Sequence, residues 1–498
     1  MSEPAADRRG LHPAWLLLLL PNGYFLTSQV VGLIPVNGGA GWDGSVYLEY
    51  LDRLLHGQQV ENSPYRWMRL PGFVPAALAM HLGVRMEDIP RLQSIVNAAL
   101  LSGAAALYYA TLRKQIGRPA VALCATGVLF LSWPYLVAPV FYPLLSDHLA
   151  LALAVVSLWA WFNGHRKVLY GVGFFSVWVM PGLFLVPLAL ACLPFDAGGR
   201  AFQPGWRWPV FLLLSALAVF ACWPLLGLRD EEVLRHAPGT PLGLVELKHW
   251  SIGFVLVGMV VIAALWTRLL SSPDFWRRVA WRPLAAALAL IGLGFLSTFL
   301  VTDWSEGLRG PNLVANLYLQ AVAAPAKPLV AHVVYFGPVF LVGLGLCLRP
   351  SRAALAPRSF PLGAVATAAL PILLMGSESR QWLYFFPVIV TLVALNERSS
   401  ARWLLLLGVS IALCLPSVTL GSALIARAAE WGEPGLGWWW YLAHHGPWMP
   451  AGAYLAGAVF AVVFAAAYYG RWPRSGDQGP ATRSSSRAGP GRGPRRFR

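Results

Sequence analysis

The sequence predicts an all-α, polytopic helical membrane protein with about 12–14 transmembrane helices. Hydrophobic residues make up 57% of the chain and charged residues only 12%, an imbalance that a water-soluble protein cannot bury. Apolar stretches of about 20 residues, the length that crosses about 30 Å of hydrocarbon, recur along the whole chain. These stretches are apolar on every side instead of alternating with polar residues, which excludes a transmembrane β-barrel.

The apolar stretches place crossings along most of the chain. We expect them at about 13–35, 91–112, 119–138, 145–162, 208–228, 250–269, 283–301, 329–348, 359–376, 381–395, 402–420 and 448–469. A further stretch, 168–194, is longer than one crossing and is interrupted by Met180-Pro181-Gly182. Because proline and glycine break helices, it is predicted to form two short helices whose ends return to the same face.

The crossings divide the chain into three segments. Residues 1–12 form a short N-terminal segment, residues 13–469 the membrane domain, and residues 470–498 a tail rich in Gly, Pro, Ser and Arg. The tail has almost no apolar residues, so it is predicted to be disordered. No small-residue cleavage site precedes Asn37, so the first crossing is not expected to be a cleaved signal peptide.

The placement of charge predicts that both termini are cytoplasmic. In that orientation the inner connections carry 16 Lys and Arg against 3 acids, as the positive-inside rule requires. The tail adds eight arginines against one acid. The formal net charge of +16 therefore favours anchoring against anionic lipid over nucleic-acid binding. Abundant Ala, Gly, Arg, Pro and Trp indicate a GC-rich bacterial genome, and hence a bacterial inner membrane.

The loop from Val36 to Pro90 is predicted to be extracytoplasmic, and it is too long and too patterned for a passive connector. Its segment SVYLEYLDRLLHG spaces apolar residues at helical intervals among charged ones. This pattern predicts an amphipathic helix in the membrane interface. A second apolar part, about 71–83, is too short to cross and predicts another interfacial or half-inserted helix.

The polar residues that stand out gather at this outer face. They are Asp43, Arg66, Arg69, Asp147, Lys248, Glu378 and Arg380. Most have a purely structural explanation beside a functional one. Arginines near a membrane end reach lipid head groups, Ser146 or Asp147 can cap the helix that follows, and Glu378 can pair with Arg380 across a tight turn.

Asp43 has the weakest structural explanation. It lies between Gly41 and Gly44, directly after the first crossing. Glycines allow another molecule to approach the backbone closely. We therefore predict that Asp43 carries chemistry, on a small and flexible loop at the membrane surface.

Three stretches resemble motifs of the GT-C superfamily of integral-membrane glycosyltransferases. The first crossing is followed by an outer loop with an early acid, Asp43, and then by YRWMRLP and HLGVRMEDIPRL. The interrupted stretch at 168–194 is similar to a helical hairpin of that family. SESRQWLYFFPVIV resembles its late E-x-R-Y-x-x-x-x-P signature, matched by Glu378, Arg380 and Pro387.

The resemblance implies an enzyme, of inverting type, that moves a sugar from a polyprenyl-phosphate donor to a glycan, lipid or protein acceptor. Such a transfer needs a base for the acceptor hydroxyl and positive groups for the departing phosphate. Asp43 fits the base, and Arg380 fits the phosphate clamp because a guanidinium offers a two-pronged donor. The other candidates for the substrate and phosphate site are Arg66, Arg69, Asp147, Lys248 and Glu378.

A metal cofactor has little support in the sequence. No second acid stands directly beside Asp43 to share a metal ion with it. The five cysteines all lie within or at the rim of apolar stretches, without metal-site spacing. We expect neither a metal site nor a disulfide.

Two other classes of function fit the composition. A lipid or solute transporter would place ionisable residues near the bilayer midplane and often shows inverted repeats. The sequence contains no evident repeat, and its charges lie at the outer rim. A membrane-assembly subunit without chemistry of its own is the third alternative. Either alternative would leave Asp43 dispensable.

Overall fold

The computed structural model contains only helices among the residues that it describes. These are residues 19–34, 36–60, 62–67, 69–180, 182–195, 207–236, 242–303, 313–348, 359–430, 449 and 451–470. Every regular element within these ranges is helical, which confirms the predicted all-α class. The N-terminal segment 1–12 and nearly all of the tail 470–498 lie outside the described residues.

Twenty-four α-helices are defined within the described ranges. In chain order they are α1 Leu19–Val31, α2 Gly41–Leu55, α3 Pro64–Trp67, α4 Val74–His81, α5 Ile89–Ile116, α6 Pro119–Phe130, α7 Trp133–Leu136, α8 Ala138–Phe141, α9 Asp147–Phe162, α10 Arg166–Ser176, α11 Leu185–Cys192, α12 Trp208–Cys222, α13 Asp230–His236, α14 Leu242–Val245, α15 Lys248–Leu270, α16 Pro273–Arg278, α17 Trp281–Val301, α18 Leu313–Val322, α19 Lys327–Phe336, α20 Pro338–Leu348, α21 Phe360–Met375, α22 Phe386–Asn396, α23 Ser400–Glu430 and α24 Ala451–Gly470. Short 3-10 turns occur at Asn37–Gly39, Leu70–Phe73, Met86–Asp88, Trp223–Gly227 and Ser379–Phe385.

Several of these helices are long and apolar enough to cross a bilayer. Among the described residues, five qualify: Met86–Ile116, Trp208–Gly227, Lys248–Leu270, Trp281–Val301 and Ala451–Gly470. A bent pair makes a sixth candidate, and five shorter apolar helices of 10–17 residues accompany them. The protein is therefore a polytopic helical membrane protein. The larger number of about 12–14 crossings depends on the shorter helices and stays a prediction.

Two crossings that we expected to be continuous are broken. The expected crossing 119–138 consists of α6 and the short helices α7 and α8, with a bend of 68°. The expected crossing 329–348 consists of α19 and α20, separated at Gly337, which has a φ of 80°. Prolines explain both breaks. Pro134, the second residue of α7, and Pro338, the first residue of α20, cannot donate the hydrogen bond that would continue the previous helix.

The interrupted stretch 168–194 forms two short helices, α10 and α11, as its proline and glycine predict. The indole of Trp161, at the end of α9, donates to the carbonyl of Leu193, just after α11 (2.8 Å). Since α10 begins four residues after α9 ends, both ends of the hairpin lie at the same end of the bundle. At its tip, Gly182 has a φ of 88° and lies against the Tyr384 hydroxyl.

The outer loop is a folded layer of short helices. Tyr47, Leu48 and Leu51 of α2 are buried against Phe73 and residues of α4. These three side chains are thus covered by protein, while Leu55 at the end of α2 is exposed, and the interfacial position of α2 stays a prediction. By contrast, α4 is too short to cross, as predicted, and leaves one apolar stripe exposed (Val74, Leu78 and Leu82).

A buried amide network joins this layer to the bundle. The Asn97 side-chain amide of α5 donates to the carbonyls of Pro139 and Pro143, each at 2.9 Å. Gln93, one turn earlier, donates to Asn97 and lies 3.3 Å from the His148 ring. The broken segment before α9 has carbonyls without helical partners, and an unpaired buried carbonyl is costly. The Asn97 amide satisfies two of them, just before the start of α9.

Helix packing predicts opposite effects for two glycine substitutions. A Cβ at Gly343 of α20 would lie 2.4 Å from Ile389 of α22, whereas a Cβ at Gly103 of α5 meets nothing within 4 Å. We expect Gly343→Ala to destabilise the protein by about 1–3 kcal/mol through overpacking, and Gly103→Ala to leave it unchanged or stabilise it by up to about 1 kcal/mol. Thermal unfolding in detergent measures both. An equal loss in both variants would contradict the close α20–α22 packing.

Candidate functional site

Four of the predicted residues meet at one end of the bundle. Asp43 lies in the first turn of α2, Asp147 is the first residue of α9, and Glu378 and Arg380 lie in the turn between α21 and α22. We call these four residues the carboxylate–arginine cluster. Its members come from three segments that are far apart in the chain, so the fold assembles the cluster and local sequence does not.

The Arg380 guanidinium is the centre of the cluster. Its Nη2 lies 3.4 Å from Asp43 Oδ2 and 3.2 Å from Glu378 Oε1, and its Nε lies 3.9 Å from Asp147 Oδ2. Burial by itself would lower the pKa of Arg380. The carboxylates of Asp147, Glu378 and Asp43 outweigh that effect and raise the pKa well above its ordinary value. The guanidinium is therefore permanently charged.

The three carboxylates differ in their access to solvent. The side chains of Asp147 and Glu378 are each 10% exposed, whereas that of Asp43 is 40% exposed. Asp43 is thus the carboxylate of the cluster that an incoming molecule meets first. The two buried acids act mainly on Arg380, which they hold in place and whose charge they neutralise.

Asp43 is held more rigidly than a flexible loop allows, and our prediction of a flexible loop was wrong. It lies within a regular helix, and its backbone N–H donates to the Tyr142 hydroxyl at 2.7 Å. The flanking glycines serve packing against the 142–144 segment. A Cβ at Gly41 would lie 2.3 Å from the Tyr142 ring, and one at Gly44 would lie 2.7 Å from Leu144. The glycines allow α2 to approach this segment and thereby position Asp43.

Tyr142 is a site residue that sequence reasoning missed. Burial raises its pKa, and the neighbouring Asp43 carboxylate raises it further, so the hydroxyl stays neutral. Its hydroxyl oxygen accepts the Asp43 N–H, which ties the start of α2 to the segment before α9. The signal in the sequence was weak: a tyrosine five residues before Asp147, in the same short outer connection.

Asp147 does not serve as the helix cap that we considered. The N-cap of α9 is Ser146, and its side chain makes no capping hydrogen bond. Asp147 Oδ2 is buried and forms no hydrogen bond with any described residue. Burial disfavours its negative charge most strongly, whereas Arg380, Arg69 and the N-terminus of α9 favour that charge.

Glu378 is oriented by amide side chains that the sequence did not single out. Its Oε2 accepts from Gln381 Nε2 at 2.6 Å, while its backbone N–H donates to Gln320 Oε1 of α18 at 3.2 Å. The next residue, Ser379, lies 2.9 Å from the buried His332 ring. The structural explanation for Glu378 and Arg380, pairing within a turn, is correct, and the turn also receives contacts from α18 and α19.

The remaining predicted residues are placed differently. Lys248 lies in a separate contact, 2.7 Å from Asp230 Oδ1 and 2.9 Å from the carbonyl of Leu228. Arg69 is buried near Asp147. Arg66 belongs to α3, and its side chain lies outside the described residues. Lys248 is thus not part of the carboxylate–arginine cluster, and its role in phosphate binding stays a prediction.

No group of three or more His, Cys, Asp or Glu within the described ranges has the arrangement of a metal site. The three acids of the cluster face a guanidinium, which provides the positive charge between them. The described arrangement suits an anionic group that approaches Arg380 and a hydroxyl that approaches Asp43.

Comparison with protein-family models, curated proteins and solved structures finds no match to this chain.

The packing at Gly41 predicts that an alanine there destabilises the protein more than an alanine at a glycine with a similar φ but no close neighbour. Gly41 has a φ of 73° and contacts Tyr142, whereas Gly57, at the end of α2, has a φ of 65°, and a Cβ added there would meet nothing within 4 Å. Alanine at either position costs about 1–2 kcal/mol of backbone strain. We expect Gly41→Ala to lose a further 1–3 kcal/mol or so through the clash. Thermal unfolding of both variants tests this, and equal losses would contradict the contact.

Removing the central guanidinium leaves three acids close together. We expect Arg380→Gln to lose about 3–5 kcal/mol of stability, as for a buried ion pair deprived of one partner. Arg402→Gln, which frees only Glu397, should lose less, because Glu397 still accepts from Ser399 N and Tyr468. Thermal unfolding of both variants in detergent provides the check; an equal loss in the two would contradict the central position of Arg380.

Proposed function

We propose that this protein is a membrane glycosyltransferase that moves a sugar from a polyprenyl-phosphate donor to an extracytoplasmic acceptor, which is a cell-envelope glycan, lipid or protein. The proposal places it in a bacterial inner membrane with both termini in the cytoplasm, and with the cluster on the outer face. The observation that carries it is the pairing of one accessible carboxylate, Asp43, with one buried, permanently charged guanidinium, Arg380.

Asp43 is proposed as the base that removes the proton from the acceptor hydroxyl. Its carboxylate is the accessible one of the cluster, and the Tyr142 contact fixes its backbone. In an inverting transfer the base acts on the attacking hydroxyl while the phosphate leaves without needing a proton. One positioned carboxylate is therefore sufficient for the chemistry.

Arg380 is proposed to hold the phosphate that departs. Its Nε and Nη2 face the three carboxylates, and its Nη1 forms no ion pair or hydrogen bond with any described residue. A guanidinium has five N–H donors, so the two on Nη1 remain available to phosphate oxygens. The buried acids fix the plane of the Arg380 guanidinium. The side chain therefore loses less conformational entropy when phosphate binds.

The outer layer supplies an apolar surface for the lipid part of the donor. Gly72 packs against Ser146, the residue before Asp147, and the exposed stripe of α4 begins two residues later. A polyprenyl chain that lay along this stripe would bring its phosphate towards the cluster. This arrangement favours a lipid-borne substrate over a soluble one.

The proposal predicts that Asp43→Asn abolishes transfer while Asp52→Asn does not. Asp52 is a matched control, because it lies on the same helix and its side chain is 41% exposed, against 40% for Asp43. Loss of a general base lowers the rate by about 10²–10⁴-fold. Purified wild type and both variants are each given radiolabelled polyprenyl-phosphate sugars and a membrane extract as the acceptor pool.

Equal transfer by wild type and Asp43→Asn would remove Asp43 from the mechanism but keep the enzyme class. If no variant and no wild-type sample transfers sugar, while the protein moves polyprenyl phosphate across liposomes, the protein is a transporter. If it does neither, the assembly-subunit alternative stands and the proposed chemistry is wrong.

A further inference from the structure

A second site lies at the opposite end of α9 from the carboxylate–arginine cluster. It is a cavity of about 430 Å³ between the end of α9, the start of α10 and the end of α11. Because α9 has 16 residues and begins with Asp147, its two ends are about 24 Å apart. The cavity therefore opens on the other face of the bundle, which the charge distribution predicts to be cytoplasmic.

The wall of the cavity is aromatic and aliphatic. Trp161, Phe162 and Phe195 form a triangle with ring centroids 4.7–5.1 Å apart. Leu169 and Leu190 complete the apolar lining. The Trp161 indole is held by the carbonyl of Leu193 (2.8 Å), so this wall is already formed. Aromatic residues in such positions favour the boundary between hydrocarbon and water.

The rim of the cavity is cationic. Arg166 lines the cavity and is exposed, and its guanidinium forms no ion pair or side-chain hydrogen bond with any described residue. Asn163, another lining residue, holds Lys114 at 2.8 Å from its Oδ1. The cluster at the other end has its cation matched by three acids, whereas Arg166 has no described counter-charge. A free guanidinium above an apolar wall fits an anionic head group that is attached to a hydrocarbon chain.

We propose that this cavity binds an anionic phospholipid of the inner leaflet, with its phosphate on Arg166 and the upper part of an acyl chain against Trp161, Phe162 and Leu169. The site is separate from the glycosyl-transfer site and does not depend on the proposed function. Binding would depend on both parts of the lining, because neither the apolar wall nor the Arg166 guanidinium alone selects an anionic lipid. The lipid would connect α9 to the α10–α11 hairpin at this face.

The test measures lipid binding to the purified full-length protein in detergent by native mass spectrometry. The probes are dioctanoyl phosphatidylglycerol, dioctanoyl phosphatidylcholine and sn-glycerol 1-phosphate. The variants are Arg166→Gln and, as a matched control, Arg277→Gln, which removes an exposed arginine in α16 that pairs with Asp274. We expect wild type to bind the anionic lipid at least about tenfold more tightly than the zwitterionic one, the size of effect that one charge-assisted contact provides. Arg166→Gln should abolish that preference and Arg277→Gln should keep it.

Three results would overturn the proposal. The first is equal binding of the anionic and zwitterionic lipids. The second is an unchanged preference in Arg166→Gln, or an equal loss in Arg277→Gln, because general surface charge would then explain the binding. The third is binding of glycerol phosphate as tight as that of the anionic lipid, which would show a site for a soluble phosphate. Because the experiment measures lipid binding itself, these outcomes do not depend on whether the protein transfers sugar.

Discussion

The end of the bundle that carries the cluster is organised around one guanidinium, that of Arg380. Asp43, Asp147 and Glu378 converge on Arg380 within 3.9 Å, and three acids cannot share a poorly solvated space unless a cation lies between them. The loop helix α2, the start of α9 and the turn before α22 are consequently held in one arrangement. The reverse also applies, because a buried arginine is stable only while its carboxylates surround it.

Close backbone packing supports this arrangement from behind. The Tyr142 ring fills the space beside Gly41, and the Tyr384 hydroxyl fills the space beside Gly182 at the tip of the α10–α11 hairpin. The Asn97 amide of α5 satisfies the two proline carbonyls that precede α9. Each contact involves a segment that cannot be a regular helix, so the irregular backbone needed to present the acids is stabilised by its surroundings. Charge determines which residues meet, and these contacts determine how precisely they are placed.

The class of protein and part of the site were predictable because their signals are local. Hydropathy identified the membrane helices, and Met180-Pro181-Gly182 identified the hairpin. Charge bias and helix order placed Asp43, Asp147, Glu378 and Arg380 at one end. Hydropathy did not reveal the breaks at Leu131 and Gly337, because one proline or glycine within an apolar stretch hardly alters the mean hydropathy of that stretch. Tyr142 and Gln320 were missed since their partners lie in distant segments of the chain. Gln381 was missed although its partner, Glu378, lies in the same turn. The sequence did not show that Lys248 pairs with Asp230 of another helix, away from the cluster.

The 337 residues that separate Asp43 from Arg380 also have a consequence for biosynthesis. As the chain emerges from the ribosome, the two aspartates of the cluster reach the membrane long before their counter-charge. Until the helix that follows Arg380 is inserted, the start of α2 has no guanidinium to neutralise Asp43, and its carboxylate is most stable in water. The start of α2 can therefore reach its final position beside Arg380 only after most of the chain has been integrated into the bilayer.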